Sequence, residues 1–408
     1  MKEDWVEVKI GDVADLYQPK TIASKKLIPN GKYSVYGANG IIGKYDKFNH
    51  KDEELLITCR GATCGNVHIT KPYSWINGNA MVVKPFNDDF LSIEYLKFVF
   101  SNKGRTHKAI GGSAQPQITR TSLSPIKIPL FPLPIQKAIV KKIEALLSDL
   151  DQGIADLKKA QEQLKIYRQA VLKKAFEGEF ESIKLEDACE KVTKVKRKEM
   201  VLKDSLLYLD IGGIDNKTNV ILSHKEYTWD NAPSRAQQIV KVGDVLFSTV
   251  RTYLKNIAQV NNPIYNNEIA SSGFTVIRSK KDLLNPKFIF FITTSQFFLE
   301  PLNELQRGTS YPAVRDKDVF SQFIPLPTLK QQQQIVKEIE SRLSVCDAVE
   351  QNISESLEKA KALRQSILKK AFEGKLLNEE EIAQCKAQPD YEPASVLLER
   401  IKKEKNRK

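Results

Sequence analysis

The chain has 408 residues, 41% hydrophobic and 28% charged, and its 63 Lys+Arg against 50 Asp+Glu give a formal charge of +13. This length accommodates two or more domains with cores of their own, and the composition is that of an ordinary globular protein. No apolar run approaches the ~18 residues of a membrane helix. The charged start MKEDWVEVKI lacks the apolar core of a signal peptide, and five scattered cysteines suit a reducing cytoplasm better than a disulfide framework. The basic excess favours a polyanionic partner, nucleic acid before membrane.

The first segment, Trp5–Pro129, is rich in β-formers, Gly, Asn and aromatics and opens with VKIGDV at Val8. YGANGIIGKY (Tyr36–Tyr45) has the wrong glycine spacing for a phosphate loop, and Tyr45 stands where Ser or Thr would hold magnesium. It predicts a β-hairpin turning at Asn39-Gly40, whose Tyr36, Asn39 and Lys44 could read a DNA groove. Next comes a predicted strand, LLITCRGATCGNVHI. Its Cys59, Cys64 and His68 lack a fourth ligand and are expected to be structural, with no metal site. Arg60, Asn77, Asn79, Gln115, Gln117 and Arg120 lie in loop-like contexts, GGSAQPQI (Gly111–Ile118) among them. These residue types form paired hydrogen bonds to guanine and adenine in the major groove.

A proline-rich IPLFPLP then leads into a predicted helix. From Ile139 its apolar positions step through Ile143, Leu146, Leu150, Leu157, Ala160, Leu164, Tyr167 and Val171, a narrow 4-3 seam of the coiled-coil kind. About 36 residues at 1.5 Å each give roughly 54 Å, with Gly178 as the expected C-terminal cap. The second segment, Ile183–Pro325, opens with IKLEDA. Here Arg251, Thr252, Tyr253 and Lys255 follow the predicted strand DVLFS, while Arg307, Tyr311, Arg315 and Lys317 precede a second helix. That helix carries its own seam: Ile335, Ile339, Leu343, Cys346, Ile353, Leu357, Ala360, Leu363 and Ile367. Gly374 is its expected cap, and the runs KVTKVKRK (Lys191–Lys198) and RIKKEKNRK (Arg400–Lys408) suit solvation or backbone contacts, the latter as a flexible end.

The two helices are copies. Ile128–Gly178 aligns with Ile324–Gly374 over 51 ungapped positions, 24 of them identical, at an offset of 196. That period is far too long for a solenoid. LKKAFEG closes both copies, and the identities vanish between Gln152 and Gln161. Conserved ends with a free middle suit two helices packed antiparallel, the start of each beside the end of the other. The segments before them diverge: Lys9 to Gly112 spans 103 residues and Lys184 to Gly308 spans 124. No nucleophilic triad, Walker loop or methyltransferase box is present, so no catalytic residue is assigned.

Constant helices alternating with variable heads resemble the specificity (S) subunits of type I restriction–modification enzymes. The resemblance rests on the IPLP-type lead-in with QxxIVxxIE, the RQ-[AS]-[VI]-LKKAFEG ends, YGANGIIG with ITCRGATCG, and the tail EPASVLLERIKKEK, and it spans essentially the whole chain. The second head departs from it, with YLDIGGID and DVLFSTVRTYLKN instead. The resemblance implies an α+β fold: two globular α/β target recognition domains (1–133 and 179–329), two coiled-coil helices (134–178 and 330–376) and a tail (377–408). Each domain would read one half of an asymmetric bipartite site in double-stranded DNA. A 54 Å rod would hold head centres within ~16 base pairs, with about one helical turn between half-sites expected.

Partners implied are two modification (M) subunits carrying S-adenosylmethionine and restriction (R) subunits carrying ATP and magnesium, with no cofactor on this chain. The M subunits would dock at Arg168, Gln169, Lys173, Lys174 and Phe176 and at Arg364, Gln365, Lys369, Lys370 and Phe372. The competing reading is that these residues close the rod against the heads. A solitary methyltransferase with an unrecognised site and a coiled-coil adaptor that reads no bases are the alternatives.

Overall fold

The computed structural model describes residues 5–112, 115–195 and 205–405. Ser113 and Ala114 of the GGSAQPQI stretch, Lys196–Lys198 of the first basic run and Asn406–Lys408 of the tail lie outside the described residues. The chain divides into two units, Met1–Leu157 with Glu355–Lys408, and Lys158–Ser354.

In the first unit the head is tied off at its base by β1 (Val6–Lys9), which pairs antiparallel with β9 (Lys127–Leu130). The helical turn α1 (Ile10–Val13) leads into a four-stranded antiparallel sheet ordered β2 (Ala14–Tyr17), β8 (Ala80–Pro85), β5 (Leu55–Thr58) and β6 (Val67–Ile69). Leu55–Thr58 is buried throughout, as a central strand packed on both faces must be. A second sheet places β3 (Tyr33–Gly37) between its hairpin partner β4 (Gly40–Tyr45) and the parallel β7 (Trp75–Ile76). The expected hairpin is present, but its two-residue turn is Ala38-Asn39: Gly37 pairs with Gly40, which takes φ +88° as the first residue of β4. Helix α2 (Ile93–Ser101), capped by the Ser92 hydroxyl, buries Tyr95, Leu96 and Val99. The short turns α3 (Lys103–Thr106) and α4 (Arg120–Leu123) complete the head.

The long helix α5 (Leu133–Phe176) has 44 residues. It starts six residues before Ile139, because Pro134 falls in its first turn, where a missing N–H costs nothing.

The second unit repeats this plan. β10 (Ser182–Lys184) pairs with β21 (Phe323–Pro325) at the base. One sheet is ordered β11 (Cys189–Glu190), β20 (Phe274–Ser279), β17 (Val245–Ser248), β18 (Ile257–Gln259). The other is ordered β15 (Lys225–Tyr227), β12 (Leu206–Leu209), β19 (Ile269–Ser271), β16 (Ala236–Ile239), with β12 and β19 parallel. A small ribbon, β13 (Ile214–Asp215) with β14 (Val220–Ile221), is added. Helices α6 (Pro286–Thr294), α7 (Gln296–Glu304) and α8 (Asp316–Phe320) precede the second long helix, α9 (Leu329–Phe372), again of 44 residues.

Where strands correspond, their registers agree, although the second head adds β16 to one sheet and lacks the bulge of the β3–β4 hairpin. Leu55 opposes Ile69 and Val83 as Val245 opposes Gln259 and Ile277. Val35 pairs with Trp75 as Tyr208 pairs with Ile269. The heads therefore share one framework beneath unlike sequences.

The antiparallel arrangement of the helices holds inside each unit. In the first, Ile139 and Ile143 near the start of α5 share a core with Ile367, Leu368 and Phe372 near the end of α9. In the second, Leu172 and Phe176 share one with Val336 and Ile339. Most seam positions are buried or half-buried, but Tyr167 and Leu363, equivalent by the 196 offset, are 46% and 50% exposed. Their neighbours Arg168 and Arg364 instead turn inward to meet carboxylates of the facing helix.

The tail is not a solvated end. Helices α10 (Glu379–Lys386) and α11 (Ala394–Lys405) dock on the first unit, burying Cys385, Leu397 and Ile401. Lys405 donates to the carbonyl of Gly11 at 2.9 Å, and the Arg400 guanidinium lies 4.8 Å over the Phe90 ring. An apolar stripe of period 3–4, Ala394, Leu397 and Ile401, running into the basic run explains the docking.

Candidate DNA interface

Three loops converge at one end of the first head. The residue after Cys59 leaves β5 and forms a bridge to the 111–117 segment: Arg60 pairs with Gln117, and the Gly61 N–H donates to Pro116 at 3.3 Å. The Thr58 hydroxyl donates to the Ala38 carbonyl, tying the β3–β4 turn to the same place. Arg60, Gln115 and Gln117 are thus brought together, and Asn39, Ile41, Ile42 and Lys44 stand exposed on the hairpin. Asn79, also exposed, accepts the Cys59 N–H at 3.0 Å through its backbone carbonyl. Arg120 lies apart, paired with Asp15 at 3.5 Å.

The second head builds the same junction. Val250 and Arg307 both bridge to Ala313, and the Arg251 N–H donates to Pro312 at 2.7 Å. Arg251 stacks its guanidinium 4.7 Å from the Tyr311 ring centre, and Tyr253, Lys317 and Arg307 are exposed nearby in sequence.

Several residues singled out in the sequence have other duties. Tyr36 is 5% exposed and its hydroxyl accepts the Lys71 N–H at 3.0 Å, so it belongs to the core. Asn77 is buried; its side-chain carbonyl takes the Ile22 N–H at 2.8 Å and its NH2 faces the Ile22 carbonyl at 3.5 Å. Thr252 is buried and donates to Asn303 at 2.6 Å, bracing its loop. Arg315 is spent on Asp318, at 3.0 Å, and holds that carboxyl below the usual range. A polar residue in a loop-like sequence is read as available, whereas these side chains close the loops themselves.

The helix ends show the same division. Arg168 donates to Asp347 at 2.7 Å and Glu350 at 2.9 Å, and its counterpart Arg364 donates to Asp151. Phe176 packs edge-on to Phe288 at 5.5 Å, and Phe372 likewise to Tyr95 at 5.9 Å. Arg168 and Arg364 thus pair with the facing helix, and Phe176 and Phe372 pack against the head of their own unit. Lys173, Lys174, Gln365, Lys369 and Lys370 stay exposed. Gln169 and Lys173 line a groove of about 710 Å³ with Ile166, Phe180 and Phe297, and the Gln169 side-chain oxygen in it is buried without a partner.

Burial pushes the Cys59 thiol up to about 11, leaving it unreactive. Among the described residues no group of three His, Cys, Asp or Glu could hold a metal ion, and no helix is long and apolar enough to cross a membrane.

The sequence reading missed two paired features. Gln136 is fully buried; its amide donates to Phe90 and Phe131 at 2.9 and 2.8 Å and accepts from Ser92 at 3.1 Å. Gln332 repeats this with Leu283, Pro327 and Asn285. Both glutamines lie in the repeated helix opening, which was the available signal. The other is an ion pair inside each head, Glu54–Lys84 at 2.8 Å and Asp244–Arg278 at 2.6 Å, each joining the residue just before β5 or β17 to the matching residue of β8 or β20.

The duplicated framework has a counterpart among known families. The type I restriction modification DNA specificity domain matches the chain twice, over residues 2–163 and 177–359. The chain belongs to that family. Among its relatives is the EcoDI specificity subunit of Escherichia coli, 24% identical over 98% of this chain and 95% of the relative. The MjaVIII specificity subunit of Methanocaldococcus jannaschii is 24% identical over 88% of this chain and 90% of its own. The specificity-subunit fold also appears in solved structures. A chain from a type I restriction–modification system superposes with a TM-score of 0.70, at 20% identity and over 91% of this chain and 98% of that one. The HsdS subunit of Thermoanaerobacter tengcongensis gives 0.60, at 19% identity and over 91% and 97%.

Proposed function

We propose that this specificity subunit reads a bipartite, asymmetric DNA sequence, one half with each head, and delivers it to modification and restriction subunits that carry the chemistry. The observation that carries this reading is the pair of heads with identical central-sheet registers and different loop residues. A shared framework presents its loops in the same way, while unlike side chains on those loops would recognise unlike half-sites. In this reading residues 1–133 and 179–329 are the recognition domains and 134–178 and 330–376 the helical scaffold, with the tail from 377 onward closing the first unit. Arg60, Asn39, Lys44, Gln115 and Gln117 serve the first half-site; Arg251, Tyr253, Lys255, Arg307, Tyr311 and Lys317 serve the second.

The modification subunits dock at the helix-end residues Gln169, Lys173 and Lys174 and their counterparts Gln365, Lys369 and Lys370. Support comes from the groove beside Lys173, whose exposed Ile166 and Phe297 offer apolar surface rimmed by charge. S-adenosylmethionine, ATP and magnesium belong to the partner subunits.

The test is the methylome of a host expressing this chain with its own modification subunit. One split motif, lost on deletion of this gene and changed in one half by exchange of residues 184–325, is the expected result. A motif that persists without the chain overturns the reading.

A further inference from the structure

The loops that follow β5 and β17 share hydrogen bonds at corresponding residues, and they differ where difference is expensive. In the first head this loop runs Arg60-Gly61-Ala62-Thr63-Cys64-Gly65, with Gly61 at φ +85° and Gly65 at φ +91°. In the second it runs Val250-Arg251-Thr252-Tyr253-Leu254-Lys255, and Arg251 (φ 50°, ψ 57°) and Lys255 (φ 55°, ψ 39°) occupy the same two left-handed positions. The Cys64 N–H bonds to Gly61 at 3.0 Å as Leu254 does to Arg251 at 2.8 Å, and the N–H groups of Gly61 and Arg251 both reach the proline before the bridge. These bonds set the correspondence, although the Gly65 N–H returns to Thr58 and the Lys255 N–H to Thr252. Left-handed backbone is disfavoured for any residue with a Cβ. Glycine is therefore the cheap choice, and the first head takes it at both points. At Gly61 a Cβ would meet nothing within 4 Å, so space does not demand glycine there; the backbone angle does.

The second head places long cations at both positions, and its surroundings hold them there. Thr252 and Asn303 lock the loop, and the Asn219 side chain donates to the carbonyls of Lys255 at 3.1 Å and Ile257 at 2.9 Å. The Arg251 guanidinium is stacked on Tyr311, one Nη2 donates to Ser310 at 3.1 Å, and Nε is buried without a partner. Among the described residues neither Arg251 nor Lys255 has an ion-pair partner, and burial pushes the Lys255 ammonium down. A protein that only needed this turn would carry glycine. Strain held in place by the surroundings, with unpaired charge at its tip, marks a contact point.

We propose that Arg251 and Lys255 determine the specificity and grip of the second head: Arg251, held flat by Tyr311, pairs with a guanine edge, and Lys255 contacts the adjacent phosphate. This rests on the two-headed reading above. The geometry suits the assignment: stacking on Tyr311 and the Ser310 bond fix the orientation of a guanidinium that is planar in itself, while an ammonium is a point charge for phosphate.

The experiment uses the full chain with its own modification subunit and compares the wild type with Arg251→Gly and Lys255→Gly. These substitutions install the residue the first head already uses, so folding is favoured. Each variant is expected to keep or raise its melting temperature by up to a few degrees. Affinity for the cognate duplex should fall about tenfold or more for Arg251→Gly. The slope of log affinity against log salt should shrink by about one for Lys255→Gly. The methylome of Arg251→Gly should lose selectivity at one guanine of a single half-site. Unchanged affinity and motif, or a lowered melting temperature with unchanged affinity of the folded protein, overturns the assignment. A wild-type complex with no sequence preference overturns the parent reading and this one with it.

Discussion

Gln136 and Gln332 show how much one buried side chain can organise. Each threads a helix start into a head by satisfying two carbonyls and one N–H that would otherwise be buried and unpaired. Replacing Gln136 with alanine should cost about 2–4 kcal/mol through those orphaned groups, read as a lowered melting midpoint. The in-head ion pairs predict an asymmetry. Arg278→Met leaves Asp244, 2% exposed, without its cation and should cost about 3–5 kcal/mol. Lys84→Met should cost less, because Lys84 is 45% exposed and burial already holds the Glu54 carboxyl above its ordinary range, where it can take up a proton. Thermal melts of both variants check the order. At this scale the sequence was least legible. Asn77 and Thr252 looked like recognition residues because their partners, Ile22 and Asn303, lie 55 and 51 positions away.

At the scale of elements the duplication was plain in the sequence and the details at the ends were not. The 4-3 seam announced the long helices and the prolines their entry, yet Pro134 lies inside the first turn of α5 rather than ahead of it. The equivalent glycines do different work. Gly374 sits at φ +69°, with its N–H on Ala371 and the Lys375 N–H on Lys370, closing α9 in a Schellman cap. Gly178 is not left-handed; a Cβ there would press on the Phe180 ring at 2.6 Å. Gly374→Val should therefore destabilise the first unit by about 1–3 kcal/mol. Gly178→Ala should displace Phe180 from the groove beside Lys173, weakening capture of the modification subunit more than it lowers the melting temperature. A pull-down paired with a thermal melt separates the two.

At the scale of the whole molecule, composition and the constant offset were enough to expect two heads and two helices, but not that the heads are one fold. Strand pairing fixes that fold through alternation and burial, which many sequences satisfy, so Ile183–Pro325 could keep the base, central-sheet and parallel-pair registers of Trp5–Pro129 while losing its YGANG signature. The tail was misread because its charge outweighs three buried apolar residues. Its docking should respond to acid. The Lys142 ammonium and the Asn378 N–H hold the Glu381 carboxyl below its usual range. A lowered folded value means the stabilisation is present above the unfolded value, about 4.3, and is lost as pH falls through the folded value. Hydrogen exchange in α10 and α11 should accelerate, beyond the intrinsic pH effect, on acidification through that window. Glu381→Gln should flatten the response.

The short ladders at the base of each head, Val6–Lys9 with Lys127–Leu130 and Ser182–Lys184 with Phe323–Pro325, bring the chain back to where it left. Seen from its helix, a head is a closed lobe whose two ends lie one strand spacing apart, about 5 Å. Loop closure grows only logarithmically with the enclosed length, so the 21 extra residues of the second lobe cost its neck almost nothing. Evolution can therefore redraft what lies beyond the clasp, by insertion or wholesale exchange, while the clasp and the helix behind it go unedited.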